Sequence, residues 1–226
     1  MSTVESMTGA RNDAARAISS MASHVEGMVA DAIDALLTLN TDLAERILRK
    51  ESVANALEMH IDHAIQSSLQ QGGLGAPETR RLVAMLKINK DLERVGDLAA
   101  NIGRGICSRK DDARSRQDFS SLQPLAIAVS HLAKKTLRAL ARHDLMLATN
   151  ALGETTRVDA YRDHVLHHLQ QNPEGKAGHP GNLDLLVASR YLEQIADHCS
   201  NVAEGLIFWL GGRKPCSEEG KSRMAV

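Results

Sequence analysis

A twelve-residue pattern recurs in this chain. Lys90-Asp91-Leu92-Glu93-Arg94-Val95-Gly96-Asp97-Leu98-Ala99-Ala100-Asn101 is matched, 100 residues later, by Arg190-Tyr191-Leu192-Glu193-Gln194-Ile195-Ala196-Asp197-His198-Cys199-Ser200-Asn201. Both copies carry Leu-Glu-x-x-x-Asp-x-x-x-Asn, so the chain is built from a duplicated unit and each half must repeat the same plan. That plan is helical. Aromatic residues are only 2% of the chain, and its apolar content is mostly Ala, Leu, Ile, Val and Met, which suits close helix packing better than sheets.

Apolar residues recur at helical spacing from Met7 to Asn40, and again from a cap at Thr41 or Asp42 to Leu69, before Gly72, Gly73 and Gly75. Pro77 introduces a third helix, Glu78 to about Ser108. The charged stretch Arg109 to Gln117 has no apolar period and joins the halves. Pro124 opens a fourth helix ending near Arg142, a fifth runs from Leu145 to Leu169, and Gly/Pro-rich residues 172–181 precede a sixth from Asn182 to Leu210. The expected fold is all-α, with two tandem three-helix bundles at residues 1–112 and 113–226, each half long enough to form its own core.

Residues four apart share a helix face, so Glu93, Asp97 and Asn101 form one polar row and Glu193, Asp197 and Asn201 another. The second helix adds Glu51, Asn55, Glu58 and Asp62, and the fifth adds Asp159, Asp163 and His167. If neighbouring helices carry these rows, each half brings carboxylates together across a groove. Like charges at this spacing repel unless something positive lies between them. A metal would serve, as Mg, Mn, Fe or Zn take oxygen-rich sites, and so would an arginine or lysine, with Lys90, Arg94 and Arg104 close by. Glu51, Asn55, Glu58, Asp62, Glu93, Asp97, Asp159, Asp163, Glu193 and Asp197 are the candidate metal ligands.

Other features narrow the function. Lys plus Arg total 27 against 28 for Asp plus Glu, which leaves no global basic field for nucleic acid or an anionic membrane. The N-terminus to Ile18 has no hydrophobic run of the secretory kind, Leu206 to Leu210 is too short to span a bilayer, and Cys107, Cys199 and Cys216 lack Cys-x-x-Cys spacing. A cytoplasmic protein without membrane insertion is expected. Phosphate loops, nucleophile elbows and His-Glu-x-x-His are absent, as is the Glu-x-x-His of ferritin-like di-iron oxidases. Cys199 reads as a small buried residue and Trp209 as a packing residue.

The segment Leu92 to Ile102 resembles the repeated motif of the PhoU family, accessory regulators of bacterial phosphate uptake, and Leu192 to Val202 resembles its second copy. Glu51-x-x-x-Asn55-x-x-Glu58-x-x-Ile61-Asp62 is similar to the family's helix-two pattern, with Val158-Asp159 as its counterpart. The likeness covers roughly Met7 to Gly212. It implies two bundles related by a pseudo-twofold axis, multinuclear metal clusters on the acidic surfaces, and a homodimer. It further implies a negative regulator, not an enzyme, that restrains the phosphate ABC transporter and holds its sensor histidine kinase inactive when phosphate is plentiful. Gln194 and Ala196 depart from the expected Arg and Gly, and Asn55 stands where an Asp is common. A metal-binding or storage protein, and a helical scaffold with solvated acidic faces, are the alternatives.

Overall fold

The computed structural model describes residues 3–109, 119–171 and 180–212, with side chains described over 13–109, 119–167 and 183–212. Within them the regular structure is entirely helical: α1 Thr3–Thr38, α2 Thr41–Gln70, α3 Ala76–Cys107, α4 Gln123–Arg142, α5 Leu145–Leu152, α6 Thr155–Gln171 and α7 Pro180–Gly211, with one 3-10 turn at Ser120–Leu122 before α4. Residues 110–118, most of the expected link, lie outside the described residues. None of these helices is long and apolar enough to cross a membrane.

Local chemistry sets the helix ends. Leu39 takes a positive φ of 53°, and Asn40 turns extended so that its side-chain oxygen accepts from the Leu43 N–H. Asn40 is therefore the cap of α2, in place of Thr41 or Asp42. Gly72 and Gly73, at φ of 68° and 65°, stop the chain from continuing as α2. The fifth helix expected as one piece is two. Gly153 weakens it, Thr155 Oγ1 donates to the Leu152 carbonyl, and the Glu154 carboxylate is drawn to Lys135 of α4, so the chain re-nucleates at α6.

The repeat extends well beyond the motif. Ile18, Met21, Val25, Met28, Ile33 and Leu36 of α1 are buried, and so are Leu122, Leu125, Val129, Leu132, Leu137 and Leu140, each 104 residues on (122 − 18, 140 − 36). His143 shares the φ of Leu39, and Asp144 caps α5 through the Leu147 N–H as Asn40 caps α2. The offset falls to 100 in α3 and α7, so the second half is four residues shorter between its second and third helices.

The halves do not keep separate cores. α1 packs on α4, α3 packs on α7 as extensively as on α2, and the buried apolar residues form one continuous cluster. Each helix at the seam meets its own counterpart, which is the contact pattern of an internal twofold. Leu92, Val95 and Ala99 of α3 and Leu192, Ile195 and Cys199 of α7 join one core.

Two differences break the twofold. Asp31 of α1, almost fully buried, accepts from Arg46 Nε at 2.9 Å and Lys50 Nζ at 2.7 Å of α2. Burial alone would raise its pKa, but these hydrogen bonds and charges hold it below the usual carboxylate range. Shifted by 104, the same place carries Lys135 of α4 bonded to Glu154, the two partners again 19 residues apart and the polarity reversed. At the α3–α7 seam, Gly205 sits so close to Ile88 that a Cβ there would lie 2.8 Å from Ile88 Cγ1. Its equivalent Gly105 faces open space, because Ala188 stands where Ile88 stands in the other half. That end keeps a cavity of about 320 Å³ bordered by Gly105, Ala188, Asn101 and Tyr191.

Candidate functional site

α2 and α3 do bring their carboxylate rows to facing sides of one groove, but the chain's own cations are threaded between them. Glu51 takes both oxygens to Arg104 Nη2, the second at 2.6 Å, while Arg104 Nη1 donates to Asn101 Oδ1 at 2.8 Å. Lys90 Nζ sits 2.8 Å from Glu93 Oε2 and 3.7 Å from Glu58 Oε1. Arg94 lies 3.7 Å from both Glu93 and Asp97. Asp62 accepts from the buried Asn89 Nδ2 at 2.8 Å. Asn55 is exposed on α2. Lys90, Arg94 and Arg104 thus place positive charge beside Glu51, Glu58, Glu93 and Asp97.

Asp97 remains the crowded member. Burial, then a hydrogen bond shared with Glu93, then the charges of Glu93 and Glu51 push its carboxyl up to about 6. Burial would raise Glu93 too, but Lys90 and Asp97 hydrogen-bond to it and hold it below the usual range. The pair therefore keeps one proton into mildly acidic solution. Since the folded pKa of Asp97 lies above its ordinary 3.8, its stabilising contribution is complete below about pH 4 and is lost as pH rises through 6. An amide at 97 keeps donating to Glu93 at every pH. In chelator-containing buffer, Asp97→Asn should match wild type near pH 4 and be more stable by roughly 1–2 kcal/mol above pH 7, after allowance for solvent screening. Urea midpoints for both proteins across that range check it, and a gap that does not grow with pH refutes the shared proton.

The second groove is built differently. By the 104-residue register Arg162 of α6 stands where Glu58 stands in α2. Its guanidinium lies 3.3 Å from Asp159, 3.0 Å from Asp163 and 3.2 Å from Glu193, and Arg190 holds the other Glu193 oxygen at 2.8 Å. Asp197 is raised, by partial burial first and the Glu193 charge second. The asparagines also diverge: Asn101 is bound within its own half, whereas Asn201 reaches across the seam to Asp91 at 3.3 Å, beside His198 Nδ1 at 2.8 Å from the same oxygen.

In both grooves a cation of the chain itself lies among the carboxylates. Among the described residues no three His, Cys, Asp or Glu side chains converge as a metal-holding group. In the second groove Arg162 is the cation that lies among Asp159, Asp163 and Glu193, and a metal there would have to displace it. In the first, a metal would have to replace Lys90 between Glu58 and Glu93. Cys199 is fully buried, which pushes its thiol up to about 12 and suits packing rather than ligation. Trp209 packs edge-on to His143, ring centroids 4.7 Å apart, with Arg81 over its face. Sequence reasoning missed Arg162, whose i+3 spacing from Asp159 was the available signal, and the Asp91–His198 bridge, which only the seam brings together.

The PhoU domain model matches residues 18–106 and 124–206, once in each half. The chain is similar to the phosphate-specific transport system accessory protein PhoU of Serratia marcescens, 29% identical over 202 residues covering 86% of this chain and 80% of the relative. The protein of that description from Escherichia coli (strain K12) is 27% identical, covering 87% and 81%. The crystal structure of PhoU from Pseudomonas aeruginosa superposes with a TM-score of 0.81 at 26% identity, over 91% of this chain and 99% of that one. A phosphate transport system regulatory protein PhoU from Streptococcus pneumoniae shares the fold with a TM-score of 0.79 at 18% identity, over 93% and 100%.

Proposed function

This chain belongs to the PhoU domain family, a family of accessory proteins rather than enzymes, and from that premise we propose that it is an accessory protein of phosphate-specific transport. In the finer reading it is a negative regulator that joins the state of a phosphate ABC transporter to the output of a sensor histidine kinase, in the cytoplasm, as a homodimer. The supporting observation is that the family domain recurs in both halves, together with relatives named for the same accessory role over more than four-fifths of the chain. Such a protein needs no reaction centre. It needs broad, rigid helix faces, and the single shared core provides them.

Deleting the gene should switch phosphate-starvation reporters on in phosphate-rich medium and change phosphate uptake. Pull-down from phosphate-replete cells should recover transporter or kinase subunits. Silent reporters with unchanged uptake would sink the regulatory reading. The metal-binding alternative keeps one observation in its favour, the carboxylate crowding at Glu93 and Asp97 in the first groove. Elemental analysis of protein purified without chelators, compared with Glu93→Ala, tests it: metal content that ignores the substitution excludes that groove.

A further inference from the structure

Nearly every dense charge cluster described above is neutralised within the chain, and one basic face stands apart. His131, Lys134, Lys135, Arg138 and Arg142 follow one another along α4 at helical spacing and, with Leu147 of α5, border a groove of about 430 Å³. Glu154 answers Lys135 and Glu26 answers Arg138. Lys134 and Arg142, both exposed, have no ion-pair partner among the described residues. The fold does not require this charge. In the 104-residue register the first half places Gly27, Ala30, Asp31, Asp34 and Thr38 at the same positions.

From this geometry we propose that the α4 groove docks an acidic segment of a protein partner carrying an apolar anchor side chain. The uncompensated cations call for carboxylates. The apolar requirement comes from α5, whose Leu147 borders the groove, with Met146 73% exposed and Leu145 40% exposed next to it along the helix at the groove's rim and Met the adaptable side chain among them. No segment of this chain outside the described helices offers an acidic run: residues 110–118 balance three Asp against three Lys or Arg, and residues 213–226 carry four Lys or Arg against two Glu. The acidic rows of a second copy are held by their own Lys and Arg. A flat anionic bilayer would also meet Glu26 and Glu154, the partners of Arg138 and Lys135, whereas a discrete segment can address Lys134 and Arg142 alone. The surface lies on α4 and α5, helices that carry none of the acidic rows, and does not rest on the phosphate-transport reading.

A fluorescent synthetic peptide with Glu on one helical face and Leu on the other serves as the probe, read by anisotropy on the full chain. Binding should weaken with rising salt. Lys134→Glu and Arg142→Glu should each weaken it roughly tenfold or more, and Met146→Ser about fivefold. The control Lys87→Glu makes the same charge change on an exposed lysine of α3 and should leave binding within about twofold, as a long-range screened charge does. Circular dichroism melting confirms that all variants fold, since none of these residues is buried. The proposal is overturned if Lys87→Glu loses as much as Lys134→Glu, if a Leu-to-Ser version of the peptide binds equally well, if the peptide does not bind, or if phosphatidylglycerol vesicles bind through Lys134 while the peptide does not.

Discussion

Replacing Gly205 and Gly105 with alanine should move stability in opposite directions, although the two residues hold equivalent places in the two halves. In an exposed or roomy helix interior, glycine to alanine gains up to about 1 kcal/mol from backbone entropy. Gly105 has that room, since nothing lies within 4 Å of an added Cβ, and Gly105→Ala should be stabilising by about that amount. At Gly205 the new methyl would meet Ile88 Cγ1 at 2.8 Å and Cδ1 at 3.3 Å. Cγ1 sits one bond from a branched Cβ and cannot swing aside without forcing α3 from α7. Gly205→Ala should cost about 1–2 kcal/mol net and Gly205→Val about 3 or more. Ile88→Val, which removes the Cδ1 methyl, should recover part of the Gly205→Ala loss. Equal shifts in denaturation midpoint at 105 and 205 would show that the seam is not packed as described.

Asp31 carries the second large effect. Among the described residues it is the one charged side chain in the buried set, and it holds two cations of α2, so Asp31→Asn leaves Arg46 and Lys50 facing a neutral amide. Both cations retain solvent contact, with side chains 50% and 30% exposed, so the loss should be about 2 kcal/mol at neutral pH, below the full cost of stranding a buried ion pair. The pH dependence runs opposite to that of Asp97. A carboxylate whose folded pKa is depressed contributes stability above its ordinary pKa and loses it as pH falls through the folded value. The gap between wild type and Asp31→Asn should therefore close on acidification below about pH 4, while the gap for Asp97→Asn opens as pH rises. Parallel urea series for the two variants distinguish a carboxylate held by cations from one crowded by carboxylates.

Much of the fold was legible because two signals depend only on local sequence. Apolar spacing marks helices, and Gly72, Gly73, Pro77 and Pro124 mark where they stop and start. The break at Gly153–Glu154 was not legible, since the apolar residues run on through it and the deciding contact, Glu154 with Lys135, comes from another helix. The site was half legible. The i, i+4 rows placed Glu93, Asp97 and Glu193 on the right faces, and Lys90, Arg94 and Arg104 were near enough in sequence to be named. Arg162 was hidden because the motif's 100-residue register does not hold in the second helix, where the true offset is 104 and sets Arg162 against Glu58. The shared core was equally hidden: Ala99 and Cys199 are small residues that read the same whether they face their own half or the other.

The seam at which α1 meets α4 and α3 meets α7 has a consequence for how this molecule can change. Were each half a separate chain, the same contacts would pair two identical subunits, and every substitution would be written on both sides at once. An isoleucine at position 88 would confront glycine at both ends, and an aspartate at 31 would face lysine in both copies. Carried on one chain, the two sides are free to part: one end of the seam is plugged by Ile88 while the other stays hollow beside Ala188, and one half wears a basic ridge where the other is acidic. Duplication has turned a symmetric pair into a body with a distinguishable left and right.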